Sequence, residues 1–144
     1  MAHAENEVII NKPVPEVFSF LADGTNNTKW RPGVVRIELA SGVSGQVGAQ
    51  YRQVLKGPGS RNIDGDYKIT VAKPNEELDF EVTAGPARPS GSYFFEAVEN
   101  GTKLKFVLDY QPKGLAMLMG PMITRTMKSE VANLAKLKRL LESK

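Results

Sequence analysis

Between Val34 and Tyr110 the apolar side chains fall on alternate positions, the period at which a strand gives one face to a core and the other to water. Val35, Ile37 and Leu39 alternate with Arg36 and Glu38, and Tyr51, Gln53 and Leu55 share one side of the next segment. Ile63, Gly65, Tyr67, Ile69 and Val71 oppose Asp64, Asp66, Lys68 and Thr70, while Leu78, Phe80 and Val82 oppose Asp79, Glu81 and Thr83. Tyr93, Phe95 and Ala97 line one face of a further strand with Phe94 on the other, and Leu104, Phe106, Leu108 and Tyr110 face away from Lys103, Lys105 and Asp109. Turn-forming groups, Gly57-Pro58-Gly59-Ser60, Lys73-Pro74-Asn75, Gly85-Pro86 and Asn100-Gly101, separate these runs. From Gly114 to Lys144 the spacing changes: Leu115, Leu118, Met119, Met122, Ile123, Met127, Val131, Leu134, Leu137 and Leu141 recur every three or four residues, one long apolar helix face. That face needs a cover. A curved antiparallel sheet built from the preceding strands supplies it and leaves a cavity between sheet and helix.

Ahead of this block, Glu7 to Ile10 reads as a first strand ended by Asn11-Lys12-Pro13, and Pro15 opens a short helix carrying Val17, Phe20 and Leu21 on one face. Asp23 to Asn27 breaks it, and a second short helix runs into Trp30 before Pro32-Gly33. The order of elements makes an α+β domain, one domain over residues 1–144, without repeats or linkers. Pro121, inside the last helical run, predicts a kink or a restart at Gly120-Pro121.

A chain of 144 residues hides roughly 70% of its unfolded surface, enough to enclose a pocket. The absence of cysteine and the single histidine, His3, in a polar segment ahead of the first strand, remove thiolate chemistry, Ser-His-Asp sets and a zinc site of the usual kind. No metal and no cofactor is expected. Nothing reads as a leader or a membrane span, so the expectation is a cytoplasmic protein without stable membrane insertion. The net charge of +3 is dispersed, and Glu130 and Glu142 interrupt Lys128, Lys136, Lys138, Arg139 and Lys144 on the last helix. That helix face reads as solvated, and nucleic acid is not an expected partner. Gly57-Pro58-Gly59 lacks the spacing of a phosphate loop.

The stretches NKPVPEVFSFLAD (Asn11 to Asp23), NTKWRPG (Asn27 to Gly33), GSYFFEAVENGTKLKF (Gly91 to Phe106) and KLKRLLES (Lys136 to Ser143), in this order and spacing, resemble the START-related SRPBCC superfamily with its polyketide cyclase/dehydrase-like and pollen-allergen-like branches. The resemblance implies a helix-grip fold, a seven-stranded curved antiparallel sheet around a long C-terminal helix with two short helices after the first strand. It also implies a cavity for lipids, sterols, polyketides, quinones or plant hormones, in a superfamily where only some members are enzymes and no catalytic motif is universal.

By alternation the inward sheet face presents Tyr51, Gln53, Tyr67, Phe80, Val82, Tyr93, Phe95, Phe106, Leu108 and Tyr110, with Met119, Met122, Ile123 and Met127 across from them on the helix and Trp30 as a plug at the small-helix end. Aromatics with flexible methionines suit a large apolar ligand, although the same residues are the ordinary content of a core. Gln53, Tyr67, Tyr93 and Tyr110 need partners when buried, from each other, water or a ligand. Arg61 and Arg88, on the loops Gly57 to Asn62 and Gly85 to Ser90 that emerge beside Gln111 to Gly114, mark the cavity mouth, where a guanidinium meets an acidic head group. The carboxylates Asp64, Asp66, Asp79, Glu81, Glu96 and Asp109 alternate onto the wet face, and Asp23 reads as a helix terminus. Without an inward acid or base, binding of a hydrophobic small molecule, as carrier or sensor, outranks a cyclase/dehydrase-type enzyme. A protein-interaction module, hinted at by outward Phe94, ranks third.

Overall fold

The computed structural model describes residues 2–85, 87–111 and 120–144. Strand β1 (Ala2–Ile10) is followed by helix α1 (Val14–Ala22), a 3₁₀ helix (Gly24–Lys29), β2 (Val34–Ser41), β3 (Gln50–Lys56), a short 3₁₀ turn (Pro58–Ser60), β4 (Asn62–Asp64), β5 (Tyr67–Lys73), β6 (Glu77–Val82), β7 (Ser90–Val98), β8 (Gly101–Tyr110), α2 (Gly120–Ala132) and α3 (Leu134–Glu142). The strands form one antiparallel sheet in the order β1-β8-β7-β6-β5-β3-β2, with β4 attached beside β3. The sheet wraps the C-terminal helical segment, the helix-grip arrangement. The eighth strand arises because the segment from Ile63 to Val71, continuous by pattern, breaks at Gly65-Asp66: β4 pairs with Val54 to Lys56, and β5 pairs with Gln50 and Tyr51.

Cross-strand register stacks the inward residues in rows. Phe80 lies opposite Gly91, which lies opposite Leu108, and the next row runs Leu78, Tyr93, Phe106. Gly91 is glycine for a steric reason: an added Cβ would drive into the Phe80 ring tip and crowd Leu108. A register irregularity between Ile69 and Val71 shifts the alternation of β5, so Ala72 rather than Val71 packs on the core. β1 starts earlier than expected. Ala2 and Ala4 are buried and continue the period, which places His3 within the strand, on the exposed side, with Nδ1 hydrogen-bonded to Asp109 at 2.6 Å.

α1 buries Val14, Val17, Phe18, Phe20 and Leu21, and Phe18 meets Phe95 edge-on with centroids 5.0 Å apart. Asp23 ends α1 and caps the following 3₁₀ helix, its Oδ1 accepting from the Thr25 amide at 3.1 Å and hydroxyl at 2.6 Å. The helical face of Met127, Val131, Leu134, Leu137 and Leu141 is buried as its spacing predicts. The described helix is interrupted at Asn133, between α2 and α3, where the Asn133 amide donates to Glu130 O at 3.1 Å in a tightened turn. Pro121 sits in the first turn of α2, and the residues of the expected Gly114 to Met119 portion lie outside those described. α2 and α3 run along edge strand β1: Asn6 Nδ2 donates to Val131 O at 3.1 Å, Lys138 Nζ to Ile9 O at 2.6 Å, and the Asn11 amide to Glu142 Oε2 at 2.8 Å. No described helix is long and apolar enough to cross a membrane.

Candidate functional site

The concave face of the sheet carries a continuous aromatic layer. Tyr51 stacks on Tyr67 at 5.0 Å, Tyr67 touches Phe80 at 5.4 Å, and Phe80 touches Tyr93 and Phe106 at 6.0 and 6.4 Å. Tyr93 stacks on Phe106 at 4.4 Å, and Trp30 closes the layer edge-on against both, at 6.5 and 6.2 Å. Trp30, Tyr51, Gln53, Tyr67, Phe80, Tyr93, Phe95, Phe106, Leu108 and Met127 are all buried here. Val82, Tyr110 and Ile123 are partly buried against the same core. Met122 is a correction: it is 50% exposed, because Ile123 and Met127, four residues apart, take the inward side and leave the preceding residue turned outward. Met119 lies outside the described residues. Phe94 is exposed, as its phase on β7 requires.

Among the described residues the interior holds a void with room of about 20 Å³ for a water-sized sphere, lined by Leu21, Ala22, Asn27, Arg31, Tyr67, Ile69, Leu78, Phe80 and Tyr93. That is space for one water molecule or one ligand oxygen. The polar lining is Asn27 in the 3₁₀ helix, Arg31 just beyond it, Tyr67 in β5 and Tyr93 in β7. The 3₁₀ helix contributes Asn27, whose Nδ2 donates to Gln53 Oε1 and to the Tyr67 hydroxyl, both at 3.1 Å. Gln53 in turn donates from Nε2 to Gly65 O at 3.2 Å. Gly24 passes so close to the Tyr67 hydroxyl and the Tyr51 ring that a Cβ there would collide with them. The Tyr51 hydroxyl is held by Ser44 Oγ at 2.7 Å and the Gly45 amide at 3.0 Å. Gln53 and Tyr51 thus find their partners within the protein, while among the described residues the Tyr67 hydroxyl accepts from Asn27 alone.

Sequence reasoning missed the charged part of this site. Arg31 and Glu130 form a part-buried ion pair, with Arg31 Nε and a terminal guanidinium nitrogen 2.8 and 2.7 Å from the same oxygen, Glu130 Oε2. Their side chains are 9% and 20% exposed, which corrects the reading of Glu130 as part of a solvated helix face. Burial works to lower the Arg31 pKa, and the adjacent Glu130 carboxylate overrides it, so the guanidinium sits above its ordinary range. Desolvation pushes the Tyr67 and Tyr93 hydroxyls well above the usual phenol range. Arg31 stands directly after the only tryptophan, and Glu130 three residues after Met127. Those neighbours were the available signals. The buried indole Nε1 of Trp30 has no hydrogen-bond partner among the described residues.

Arg61 and Arg88 are exposed and line no part of the void. The start of the Arg88 loop packs by the end of β4, with Gly85 against the Asp64 carbonyl and the Thr83 amide donating to Asp66 O at 2.7 Å. Arg88 Nε donates to Gly85 O of its own loop at 3.3 Å. Residues 112–114, beside which a mouth was expected, lie outside those described. Among the described residues no three His, Cys, Asp or Glu side chains come together as a metal set. The arrangement can donate hydrogen bonds to an apolar guest, and its interior acid, Glu130, is already engaged.

The family described as "Polyketide cyclase / dehydrase and lipid transport" matches residues 1–142. Solved structures share the fold at low identity. A START superfamily protein from Mycobacterium smegmatis superposes with TM-score 0.82 at 15% identity, covering 99% of each chain. Ara h 8.0201 gives 0.77 at 18% identity, covering 99% of this chain and 98% of that one. The di-domain ARO/CYC StfQ from the steffimycin biosynthetic pathway gives 0.75 at 14% identity over 96% of this chain and 49% of its own length. No curated protein sequence matches.

Proposed function

Because the chain belongs to the polyketide cyclase/dehydrase and lipid transport family, we propose that it binds a hydrophobic small molecule between the concave face of the sheet and the C-terminal helix, as a carrier or sensor. The observation that supports this most is the convergence of Asn27, Arg31, Tyr67 and Tyr93 on a void otherwise walled by Leu21, Ile69, Leu78 and Phe80. A few polar groups aimed into an apolar wall fix the orientation of a guest. The void itself accepts a single polar atom. The body of the guest takes space now filled by side chains, and its apparent affinity is lowered by the fraction of molecules that are closed.

Catalysis of the cyclase/dehydrase type stands second. A general base needs to give up its proton near working pH. Tyr67 and Tyr93 are held protonated by burial, and Glu130 is committed to Arg31. The test is native mass spectrometry of the purified protein, followed by denaturing extraction and a thermal-shift screen against lipids, quinones and aromatic polyketides. Retained or stabilising apolar compounds support binding. A ligand-free protein with no shift across the panel refutes it.

A further inference from the structure

We propose that the interior site selects an uncharged carbonyl-type oxygen on its apolar guest and rejects a free carboxylate, and that Glu130 sets this preference. The inference rests on the binding reading above and adds the charge and head-group chemistry of the guest. Arg31 is the cationic residue on the void's wall, and a lone buried guanidinium would draw an anionic head group inward. Here it is not alone. Two of its nitrogens meet Glu130 Oε2 at 2.8 and 2.7 Å, so cation and anion cancel and the pocket carries no net charge to offset an incoming anion.

What remains on the wall is a set of donors. Tyr67 already accepts from Asn27 Nδ2 at 3.1 Å, and among the described residues its own proton has no acceptor. Burial keeps that proton on the oxygen. The void takes one oxygen atom between these groups. A ketone, quinone or ester oxygen accepts from them without bringing charge into the interior. A carboxylate would shed its hydration, meet a guanidinium already neutralised and face the Glu130 carboxylate behind it. The acidic head group expected at Arg61 and Arg88 therefore has no counterpart at the inner end.

The experiment is calorimetric titration of the full chain, at about pH 8 where a carboxylic acid is ionised, with two probes of matched ring system, 2-acetylnaphthalene and 2-naphthoate. The wild type is expected to bind the ketone at least about tenfold more tightly, and Glu130→Gln to move the ratio toward naphthoate by at least about tenfold by freeing the guanidinium charge. The double variant Arg31→Gln/Glu130→Gln, which removes both charges together, is expected to keep the preference for the ketone. Wild-type protein that binds naphthoate as well as or better than the ketone overturns the inference while leaving the binding reading intact. So does a folded Glu130→Gln with an unchanged ratio, or a double variant that gains naphthoate as the single one does. Binding of neither probe to wild type overturns the inference, while the reading beneath it is decided separately by the extraction and thermal-shift panel. The wild-type ratio decides even where Glu130→Gln fails to fold.

Discussion

Phe80 and Gly91 form a packing unit whose energetics can be worked out before measurement. Phe80 is buried against three aromatic rings, those of Tyr67, Tyr93 and Phe106, and its ring tip occupies the space that a side chain at Gly91 would fill. Phe80→Ala removes the ring from this cluster and from the wall of the void, a loss of about 3–5 kcal/mol by the usual transfer and cavity costs. Gly91→Ala alone forces a methyl group into the ring and into Leu108 Cδ2, and overpacking of this kind costs about 1–3 kcal/mol. In the Phe80→Ala background the same methyl group enters vacated space. It should be neutral or stabilising there, which gives a coupling of about 1–3 kcal/mol between the two positions. Urea unfolding of the four proteins, followed by circular dichroism with slopes compared across the set, measures the cycle. Additive losses within about 0.5 kcal/mol would refute the proposition that Gly91 is required by the Phe80 ring. Phe80→Ala also enlarges the void, so a small apolar guest such as toluene should raise its melting temperature and leave that of the wild type unchanged.

Arg31→Met leaves the Glu130 carboxylate buried without its partner and is expected to lower stability by about 3–5 kcal/mol, less whatever the 20% exposure of Glu130 returns. Arg31→Met/Glu130→Met should recover most of this in the same urea assay, and a double variant no better than the single one would count against the pair. Tyr67 and Tyr93 have folded-state pKa values above the unfolded value of 10.0, so the folded form holds more protons and stability should fall as pH rises through about 10. Absorbance at the tyrosinate band should then show these two ionising only as the protein unfolds. His3, the single histidine, has its pKa raised above 6.5, chiefly by its hydrogen bond to Asp109. Its contribution is present below about pH 6.5 and lost as pH rises through the folded value, and one imidazole resonance in an NMR titration, shifted upward in wild type and returned toward 6.5 in Asp109→Asn, checks it.

The period-two runs that place Phe80, Tyr93 and Phe106 on one side of the sheet, and the three-to-four spacing that buries Met127, Val131 and Leu134, were readable directly because burial on one face writes itself into alternate or helical positions. Four things were not. Alanines at positions 2 and 4 carry too little apolar surface to announce a strand. The irregularity between Ile69 and Val71 shifts phase in the middle of an otherwise regular alternation. Arg31 and Glu130, separated by 99 residues, become a pair only once the fold brings the segment just after the 3₁₀ helix against α2, and either charge alone looks like surface. The size of the void was hidden for a related reason: the alternation states which rings point inward, while their rotamers decide how much room is left between them.

The placement of β1 bears on how the chain reaches this fold. β1 is completed by β8 on one side and by the C-terminal helices over its edge, through contacts such as Lys138 to Ile9 and Glu142 to Asn11, 129 and 131 residues apart in sequence. Such long-range closures are entropically expensive and slow folding. On a ribosome adding roughly 5–20 residues each second, β1 emerges early and waits several seconds for the strand and helices that cover it. During that interval its backbone hydrogen-bonding groups have no sheet to join. The carboxylates of Glu5 and Glu7 along its outer face then act as a guard against pairing with another chain, a duty separate from anything the finished pocket does.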